Sequence, residues 1–552
     1  MKIALIQMNV EAGKCESNYQ KMVEYIKEAK LASIDMIVFP ANVLSGYYLG
    51  DEWLNHEFCE LVDSYNQKII DLSEEIAIVW GNIRYRHHQR FNCAFFAYQK
   101  ETRMSVKKNE HQAMAESRYF NEMSIESEIE YKGHLFNLMF DGKTVNDVTN
   151  ILLGHHHYIQ ENKRIYKDDV LYVNPIGIQN TGSNIFVFNG GTATYLQGQL
   201  ASRANDLQEE MHLVELGKEG MFGKQASLLH TIVFAMKEFD RQMFGMKLPW
   251  IIGLSGGLDS AVNAALLSLA IGHERIIAYN MATRYNSDLT KMNATHLAKA
   301  LNLTLKNGSI EKLNEATLQV VSEYGYSSEG WNSLVTENIQ ARLRGHLLST
   351  FASIHGGVVI NNGNKVEVAL GYCTLYGDAI GAMAPIGDCL KTDLFTLSEE
   401  INEYYGKEII PTSLLPTIKD EKLEWEMPPS AELKDNQSDP MKWYYHDLLL
   451  KRYLEGMSVE TYLQSYLDQS IYQSEFGKWI EYYGLQEPEL FVKDIEFFFN
   501  TLQRNSFKRI QSPPILVVSN KAFGCDFIEV QGTFDTPLKK SLIQSILEMK
   551  RG

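Results

Sequence analysis

The feature that most constrains this chain is a glycine loop between a buried strand and a helix. The apolar run PWIIGL at 249–254 is typical of a buried parallel strand, and the loop SGGLDS at 255–260 follows it directly. Residues 259–270 predict a helix, and Gly272 supplies its stop signal. This order of elements favours a phosphate-binding site at the carboxyl end of a parallel sheet.

Each residue type in the loop suits the binding of a polyphosphate. Gly256 and Gly257 permit a tight turn whose backbone N–H groups approach the anion. Ser255 and Ser260 add hydroxyl donors, and the helix directs its positive end at the phosphates. Asp259 would repel phosphate unless a cation lay between them, so it predicts Mg²⁺. The chain has no GxxxxGK[ST] pattern here, which disfavours the P-loop of kinases and GTPases.

The surrounding pattern predicts a doubly wound α/β sheet. Strand-like segments at 274–281 and 303–307 alternate with a helical segment at 288–301. The loop itself resembles that of the PP-loop ATP pyrophosphatases, which release pyrophosphate and leave AMP on a substrate oxygen. Taken alone, the loop leaves NAD synthetase, GMP synthetase, asparagine synthetase, tRNA thiolase and lysidine synthetase open as alternatives.

Further segments beyond the loop narrow these alternatives. They are MATRYNS at 281–287, ENIQARLR at 337–344, NGNKVE at 362–367, GYCTLYGD at 371–378, APIGD at 384–388 and PSAEL at 429–433. Their order and spacing resemble the NAD synthetase family, from about residue 225 to the C-terminus. One departure is Asn362, where the family's TGNKSE has threonine; an amide can still form a hydrogen bond there.

The resemblance implies ATP-dependent amidation of deamido-NAD to NAD through an adenylated nicotinate, with release of AMP and pyrophosphate. It implies Asp259 and Glu367 as Mg²⁺ ligands, and Asp259, Lys391 and Ser430 as catalytic residues at the phosphates. The implied ATP site comprises Ser255, Gly256, Gly257, Asp259, Ser260, Arg342 and Asn362. The implied deamido-NAD site comprises Asn338, Tyr376, Asp378 and Lys508.

The first part of the chain predicts another layered α/β structure, about 215 residues long. Strand-like segments lie at 2–8, 35–40, 76–83, 93–98, 134–140, 170–174, 184–188 and 192–196, with a helical segment at 17–32. The segments IALIQMN at 3–9, VFP at 38–40, RYF at 118–120 and VNPIG at 173–177 resemble the nitrilase-like glutaminase domain of long NAD synthetases. The resemblance implies an α-β-β-α sandwich.

The glutaminase residues of that family are replaced in this sequence. Glutamine hydrolysis there needs a thiolate nucleophile, a carboxylate base and a lysine that stabilises the oxyanion. Where the family has FPE, this chain has Ala41 in place of the base, and where the family has CED it has Met139 in place of the thiol. Lys107 or Lys108 matches the lysine. We therefore expect a domain without glutaminase activity, and ammonia from solution or from a separate glutaminase.

Composition limits the cellular setting and the partners. A net charge of −17 over 552 residues disfavours nucleic-acid binding, and no apolar run is long enough to cross a membrane. The six cysteines are scattered without CxxC pairs, which predicts reduced thiols and a cytoplasmic location. We expect a nitrilase-like domain at 1–215, a linker at 216–228 and a synthetase domain at 229–552 that is largely helical from about 443. The resemblance implies a homodimer or a higher homo-oligomer.

Three other function classes compete with this interpretation. An amidase of the nitrilase type lacks its nucleophile here, and a GMP-synthetase-like amidotransferase would need a class I glutaminase elbow, which the sequence lacks. A non-catalytic binding protein is disfavoured by the intact loop together with Glu367 and Lys391. A glutamine-dependent NAD synthetase with an unrecognised glutaminase site remains the alternative within the family. The consecutive side chains of His155, His156 and His157 diverge, so no metal site is expected from them.

Overall fold

The chain folds into two compact units. The computed structural model describes residues 1–106, 116–123, 127–140, 144–160, 165–327, 330–419, 422–427, 430, 433–434, 439–532 and 534–549. The first unit is Met1–Glu238 and the second is Phe239–Gly552. The division falls within a helix, Leu228–Phe244, whereas the sequence predicts a linker at 216–228.

The first unit is built mainly of strands. They are β1 (Lys2–Gln7), β2 (Met36–Val38), β3 (Ala77–Arg86), β4 (Gln89–Tyr98), β5 (Glu101–Val106), β6 (Glu128–Tyr131), β7 (His134–Met139), β8 (Thr149–Leu153), β9 (Val170–Val173), β10 (Ile176–Asn180), β11 (Asn184–Asn189), β12 (Ala193–Leu196), β13 (Gln199–Arg203) and β14 (Glu210–Glu215). Its helices are α1 (Cys15–Leu31), α2 (His56–Leu72) and the short α3 (Glu116–Tyr119), with a 3₁₀ turn at Gly50–Leu54. The helix α4 (Leu228–Phe244) follows.

Two six-stranded sheets enclose the core of this unit. Their strand orders are β14-β1-β2-β3-β4-β5 and β13-β12-β9-β8-β7-β6. Alternate residues such as Leu5 and Val79 of the first sheet share one buried cluster with Phe136 and Ile151 of the second. This arrangement confirms the predicted sandwich.

Helix α2 contacts the first sheet, whereas one parallel connection in the second sheet has no helix among its described residues. On the first sheet, the Asn66 side chain of α2 donates to the Ile83 carbonyl and accepts from Trp80 Nε1. On the second sheet, β7 pairs in parallel with β8. Residues 140–148 join them, fewer than the dozen or so that a crossover helix needs, and the described part of that connection contains no helix.

The second unit combines a parallel sheet with many helices. Its strands are β15 (Trp250–Gly253), β16 (Ile276–Ala282), β17 (Thr304–Ser309), β18 (Val358–Val359), β19 (Thr417–Lys419), β20 (Lys422–Glu424) and β21 (Ile515–Val517). Its helices are α5 (Leu258–Ile271), α6 (Asp288–Ala300), α7 (Glu311–Glu323), α8 (Ser333–His355), α9 (Lys365–Leu370), α10 (Lys391–Tyr405), α11 (Tyr445–Leu454), α12 (Val459–Leu467), α13 (Gly477–Tyr482), α14 (Pro488–Arg504), α15 (Ser506–Arg509) and α16 (Pro537–Glu548). Further 3₁₀ turns lie at His273–Arg275, Thr412–Leu414 and Ser470–Gln473.

The parallel sheet places the glycine loop at its carboxyl edge. Its strand order is β17-β16-β15-β18, and all three pairings are parallel. The loop leaves β15 and enters α5, as the sequence predicts. The order departs from the order along the chain beside β15, which is where ligands bind in open α/β sheets. The predicted fold class is therefore confirmed in this unit as well.

The end of the chain is helical, as predicted. Helices α11 to α14 and α16 pack around a cluster rich in aromatic residues, in which Tyr466 stacks on Phe491 at 3.9 Å between ring centres. Among the described residues, no helix is both long and apolar enough to cross a bilayer.

Candidate active site

The loop after β15 is held open toward a cavity by its own serines. Ser255 Oγ lies 3.1 Å from Ser260 Oγ and accepts from the Gly257 amide at 3.2 Å. Ser260 Oγ in turn donates to the Gly257 carbonyl at 3.0 Å. Gly257 is the N-cap of α5 and no side chain caps this helix, so the N–H groups of its first turn face an incoming anion.

Gly256 is required by both conformation and space. Its φ is +91°, in the region that favours glycine, and a Cβ there would lie 2.0 Å from the Thr290 carbonyl oxygen. The backbone of the loop therefore passes directly against α6. This close contact fixes the loop relative to the sheet.

Three charged side chains and one amide meet beside the loop. Lys391 Nζ lies 2.5 Å from Asp259 Oδ2, and Asn364 Nδ2 donates to Asp259 Oδ1 at 2.9 Å. Asn364 also accepts from the Val366 and Glu367 amides, while Glu367 Oε2 accepts from the Asn364 amide. This capping box fixes α9 and presents Glu367 to the same cavity as Asp259.

The charges of Asp259, Glu367 and Lys391 shift the pKa values of Glu367 and Lys391. Burial and the nearby Asp259 carboxylate raise the pKa of Glu367 well above its ordinary value, against the opposing effect of Lys391. Burial works to lower the pKa of Lys391, but Asp259 and Glu367 outweigh it and leave the pKa raised. Two carboxylates and one ammonium therefore share a site that a further cation would stabilise.

These residues line a cavity of about 350 Å³. Of the predicted site residues, those that line it are Ser255, Gly257, Asp259, Ser260, Asn362, Glu367, Asp378, Lys391 and Ser430. The structure therefore brings the loop, the two predicted metal ligands and the predicted phosphate-binding residues together. Asn362 donates to the Gly253 carbonyl at 3.0 Å, so the amide that replaces threonine braces the end of β15.

Five predicted residues are not among the described residues that line this cavity, and one of them, Gly256, belongs to the loop itself. Arg342 is exposed on α8, and Arg344 of the same helix lines the cavity in its place. Tyr376 is 73% exposed. Asn338 accepts from Thr374 Oγ1 at 2.7 Å, and Lys508 donates to the carbonyls of Gly371 and Cys373 at 2.9 and 2.7 Å. Asn338 and Lys508 thus support segment 371–378 from outside the cavity.

Sequence reasoning missed two residues of the site that carry clear signals: Asn364, which donates to Asp259 but is not among the described residues that line the cavity, and Asn280, which lines it. Asn364 and Glu367 have the N-x-x-E spacing of a capping box, which identifies Asn364 as the residue that orients Glu367. Asn280 lines the cavity from the carboxyl end of β16, where parallel sheets place ligand-binding side chains, and its amide donates to the Leu254 carbonyl at 2.8 Å.

The carboxylates suit a magnesium ion bound together with phosphate. No cluster of three or more histidine, cysteine or acidic side chains that could hold a metal occurs in the described part of the chain. Mg²⁺ often takes only one or two protein carboxylates and completes its shell with water and substrate phosphate. Asp259 and Glu367 in one cavity with the phosphate loop meet that requirement.

The predicted glutaminase positions that the structure describes in the first unit are apolar and buried. Ala41 is 2% exposed and belongs to the apolar cluster between the two sheets. Met139, also buried, ends β7. Lys107 and Lys108 lie outside the described residues. The three consecutive histidines do not all diverge as expected, because the rings of His155 and His156 stack at 5.6 Å between their centres. His155 also packs on Tyr47, His156 bonds to Tyr172 and His157 packs on Phe186.

Known proteins resemble both parts of the chain. Residues 2–104 match the carbon-nitrogen hydrolase family and residues 242–478 match the NAD synthase family. The glutamine-dependent NAD(+) synthetase of Acinetobacter baylyi is 27% identical over 562 residues, which cover 95% of this chain and 96% of that protein. The protein of the same name from Rhodobacter capsulatus is 32% identical over 287 residues, 50% of this chain and 46% of that protein.

Solved structures share the fold. The glutamine-dependent NAD(+) synthetase of Cytophaga hutchinsonii superposes with a TM-score of 0.78 at 16% identity, covering 99% of both chains. That of Acinetobacter baumannii, in complex with ADP, gives 0.65 at 23% identity, with 94% of this chain and 96% of the other covered. At these identities the two solved structures show the shared fold alone. The chain has the architecture of the long glutamine-dependent NAD synthetases, in which a carbon-nitrogen hydrolase domain precedes an NAD synthase domain.

Proposed function

We propose that this protein is an NAD synthetase that adenylates the nicotinate carboxylate of deamido-NAD and converts it to an amide with ammonia. The observation that carries the proposal is the phosphate loop opening on the cavity that holds Asp259, Glu367 and Lys391. Ammonia does not displace an oxygen from a carboxylate at neutral pH, because that oxygen is a very poor leaving group. Transfer of AMP turns that oxygen into a good leaving group, which is the chemistry that an ATP site of this kind supplies.

The side chains divide the work of adenylation. The N–H groups at the start of α5 and the hydroxyls of Ser255 and Ser260 bind the phosphates of ATP. Lys391, a buried ammonium, stabilises charge that develops as the bond between the α-phosphorus and pyrophosphate breaks. Asp259 and Glu367 would hold Mg²⁺, which offsets charge on the departing pyrophosphate. Ser430 lines the same cavity and would contact the transferred phosphate.

The second half of the reaction needs ammonia and no further energy source. Ammonia attacks the acyl carbon, the bond from that carbon to the AMP oxygen breaks, and the nitrogen loses a proton to give the amide. The partly enclosed cavity protects the acyl adenylate from hydrolysis by water. Asp378, at the end of segment 371–378, and Arg344 of α8 both line the cavity and would contact deamido-NAD.

We also propose that the first unit does not supply ammonia from glutamine. Its three cysteines are buried, and burial raises the pKa of Cys15 to about 11, of Cys93 to about 12, and of Cys59 above its ordinary value. Such thiols stay protonated at neutral pH and are poor nucleophiles. Ala41 offers no carboxylate and Met139 no thiol, so none of these described residues supplies a thiolate or its base.

The remaining parts of the proposal concern the setting of the enzyme. All six cysteines are free thiols, which supports a reducing, cytoplasmic location. We propose a homodimer or a higher homo-oligomer, with a separate glutaminase or free ammonium as the nitrogen source. The alternative is a glutamine-dependent enzyme, supported by the names of the relatives, whose glutaminase site would have to use other residues.

One assay tests the reaction. Purified protein is incubated with ATP, Mg²⁺, ammonium and deamido-NAD, and the amounts of NAD, AMP and pyrophosphate are measured. We expect the three products in equal amounts. Asp259→Asn serves as the control, because it keeps the shape of the side chain and should abolish adenylation with an unchanged circular dichroism spectrum. Near-normal turnover by Asp259→Asn would show that Asp259 is not a metal ligand.

A second assay tests the nitrogen donor. We expect NAD formation with ammonium and no glutamine-supported rate above that of the ammonia contaminating the glutamine. A control with an added, separate glutaminase should restore glutamine-supported turnover. A strong glutamine-dependent rate that is lost when one of Cys15, Cys59 or Cys93 is changed to alanine would contradict the loss of glutaminase activity.

A further inference from the structure

Behind the cavity, a buried ion pair satisfies all its hydrogen-bonding capacity. Lys365 Nζ contacts Asp388 Oδ1 at 2.8 Å, Ser519 Oγ at 2.7 Å and the Lys521 carbonyl at 2.9 Å. An ammonium has three N–H donors, so each has an acceptor. Asp388 also accepts from the Val518 and Ser519 amides and from Ser519 Oγ. We call Lys365, Asp388 and Ser519 the buried brace.

The buried brace connects the two segments that carry the candidate phosphate and metal residues. Lys365 is the first residue of α9, between Asn364, which bonds Asp259, and Glu367. Asp388 precedes Lys391 by three residues, and the Lys365 amide donates to the Cys389 carbonyl at 2.9 Å. A shift of either segment would therefore change the distances among Asp259, Glu367 and Lys391.

The third component of the brace lies outside the part of the chain that matches the NAD synthase family. That match ends at residue 478, whereas Ser519 and Lys521 come after β21. The C-terminal part thus supplies two of the three acceptors of Lys365 and the backbone donors to Asp388. Without them, a buried ammonium and a buried carboxylate would each lose partners at considerable cost.

We propose that Lys365, Asp388 and Ser519 are positioning residues that set the geometry of the magnesium and phosphate site, so that the C-terminal part of the chain is needed for adenylation. This inference rests on the proposed function. None of the three residues touches substrate in this proposal. They act through Asn364, Glu367 and Lys391, and their loss should affect magnesium use and turnover more than the affinity for deamido-NAD.

The test uses full-length protein with Asp388→Asn, which keeps the size of the side chain and its hydrogen-bond acceptor but removes the charge. We expect kcat to fall roughly 10- to 100-fold, because displacement of catalytic groups by about 1 Å has effects of that size. The Mg²⁺ concentration for half-maximal rate should rise, while KM for deamido-NAD should change by less than about twofold. Unchanged kcat and unchanged Mg²⁺ dependence in a folded variant would overturn the proposal.

A matched control separates positioning from loss of stability. Asp240 forms another buried ion pair in the same unit, with Arg275 at 2.7 and 2.8 Å, and accepts from Trp250 Nε1 at the opposite, amino end of the sheet. Asp240→Asn should lower the urea midpoint at least as much as Asp388→Asn and leave kcat and Mg²⁺ dependence within about twofold of wild type. Equal losses of kcat in both variants would mean that general destabilisation is the cause, and would overturn the proposal.

Two further measurements keep the test decisive. If Asp388→Asn fails to fold, Ser519→Ala decides, since it removes one contact from each charged partner and leaves the ion pair; we expect a smaller shift in the same direction, and no shift would overturn the proposal. Calorimetric titration with ATP, with and without Mg²⁺, provides a readout independent of turnover. Wild type that binds MgATP but makes no NAD would refute the proposed function, while weaker MgATP binding by Asp388→Asn would still support the brace.

Discussion

At the scale of single residues, the site depends on a few positions that have no freedom to vary. Gly256 combines a left-handed φ with a carbonyl oxygen directly beside its α-carbon. Asp259 serves a buried lysine and an amide at once. Such positions determine both the conformation of the loop and the groups that it offers to a ligand. Substitutions there should therefore reduce ATP binding more than they reduce the stability of the protein.

Gly256→Ala should weaken ATP binding sharply. The new methyl group would lie 2.0 Å from the Thr290 carbonyl oxygen in a strained backbone conformation, so the loop must move away from α6 at a cost of about 1–3 kcal/mol. Calorimetric titration should show a large rise in the dissociation constant for MgATP. Gly308→Ala, where no heavy atom lies within 4 Å of the new methyl, is the control and should bind normally. Equal affinities for the two variants would contradict this account of the loop.

Asp447 should make stability fall as pH rises. Burial raises its pKa from 3.8 to about 6, although the Tyr444 and Lys391 amides donate to it. Below pH 4 the carboxyl is protonated in both states. Between about 4 and 6 the unfolded carboxyl ionises first, so this group removes about 3 kcal/mol of stability across that window.

The comparison with Asp447→Asn measures that effect, because an amide does not titrate. Urea unfolding at several pH values should show wild type losing stability relative to Asp447→Asn between pH 4 and 6, with a constant difference above pH 7. Parallel stability curves over the whole range would mean that the pKa of Asp447 is not raised.

At the scale of secondary structure, the capping box of α9 joins helix formation to the site. The same Asn364 side chain caps the helix and fixes Asp259. Helix α9 is only six residues long, and short helices depend strongly on their caps. Formation of α9 and orientation of the two carboxylates are therefore one event.

Asn364→Ala should reduce stability by about 1 kcal/mol and reduce turnover far more than that loss explains. The matched control is Ser458→Ala, which removes the exposed cap of α12, where Ser458 Oγ accepts from the Thr461 amide at 3.0 Å. Urea midpoints of the two variants should be similar, while NAD formation should be impaired only in Asn364→Ala. Normal turnover by Asn364→Ala would exclude a positioning role for this side chain.

The sequence predicted what is local and missed what depends on distant contacts. The strand, loop and helix around Ser255 lie within a short stretch, so pattern alone located them. Arg342 and Arg344 differ by two positions on α8 and therefore face different directions, and motif resemblance does not say which one faces the cavity. The contacts of Lys508 reach 135 and 137 positions back along the chain, and no local signal reveals them.

At the scale of the whole molecule, the two units differ in the side chains that they place at their candidate active sites. The second unit gathers charged groups around a cavity, while the matching positions of the first unit are apolar and buried. Ala41 packs between the sheets, and a Cβ on the adjacent Gly81 would lie 2.5 Å from its α-carbon. Gly81 therefore lets the two segments approach closely, and the buried side chain at position 41 carries no carboxylate.

Ala41→Glu combined with Met139→Cys should not create glutaminase activity. The glutamate would enter an apolar cluster without a partner, at a cost of about several kcal/mol, and the short connection after β7 offers the new thiol no described helix to lower its pKa. Thermal unfolding should show a lower midpoint for this variant, and glutamine should give no NAD. Ala32→Glu, at an exposed position, is the control and should leave the midpoint nearly unchanged. Glutamine-dependent turnover by the double variant would contradict this prediction and would show that these two substitutions are enough to create a working glutaminase site.

The buried brace also has a consequence for the order of events during synthesis. Lys365 emerges from the ribosome 154 positions before Ser519, the acceptor that completes its shell, and Asp388 precedes Ser519 by 131. At cellular elongation rates of about 5–20 residues per second, this interval lasts roughly 8–30 seconds. Throughout that time the nascent chain already contains the phosphate loop but cannot bury its lysine with all three partners. A ribosome that stalls in this interval would hold a chain whose ATP site is complete in sequence and unfinished in structure.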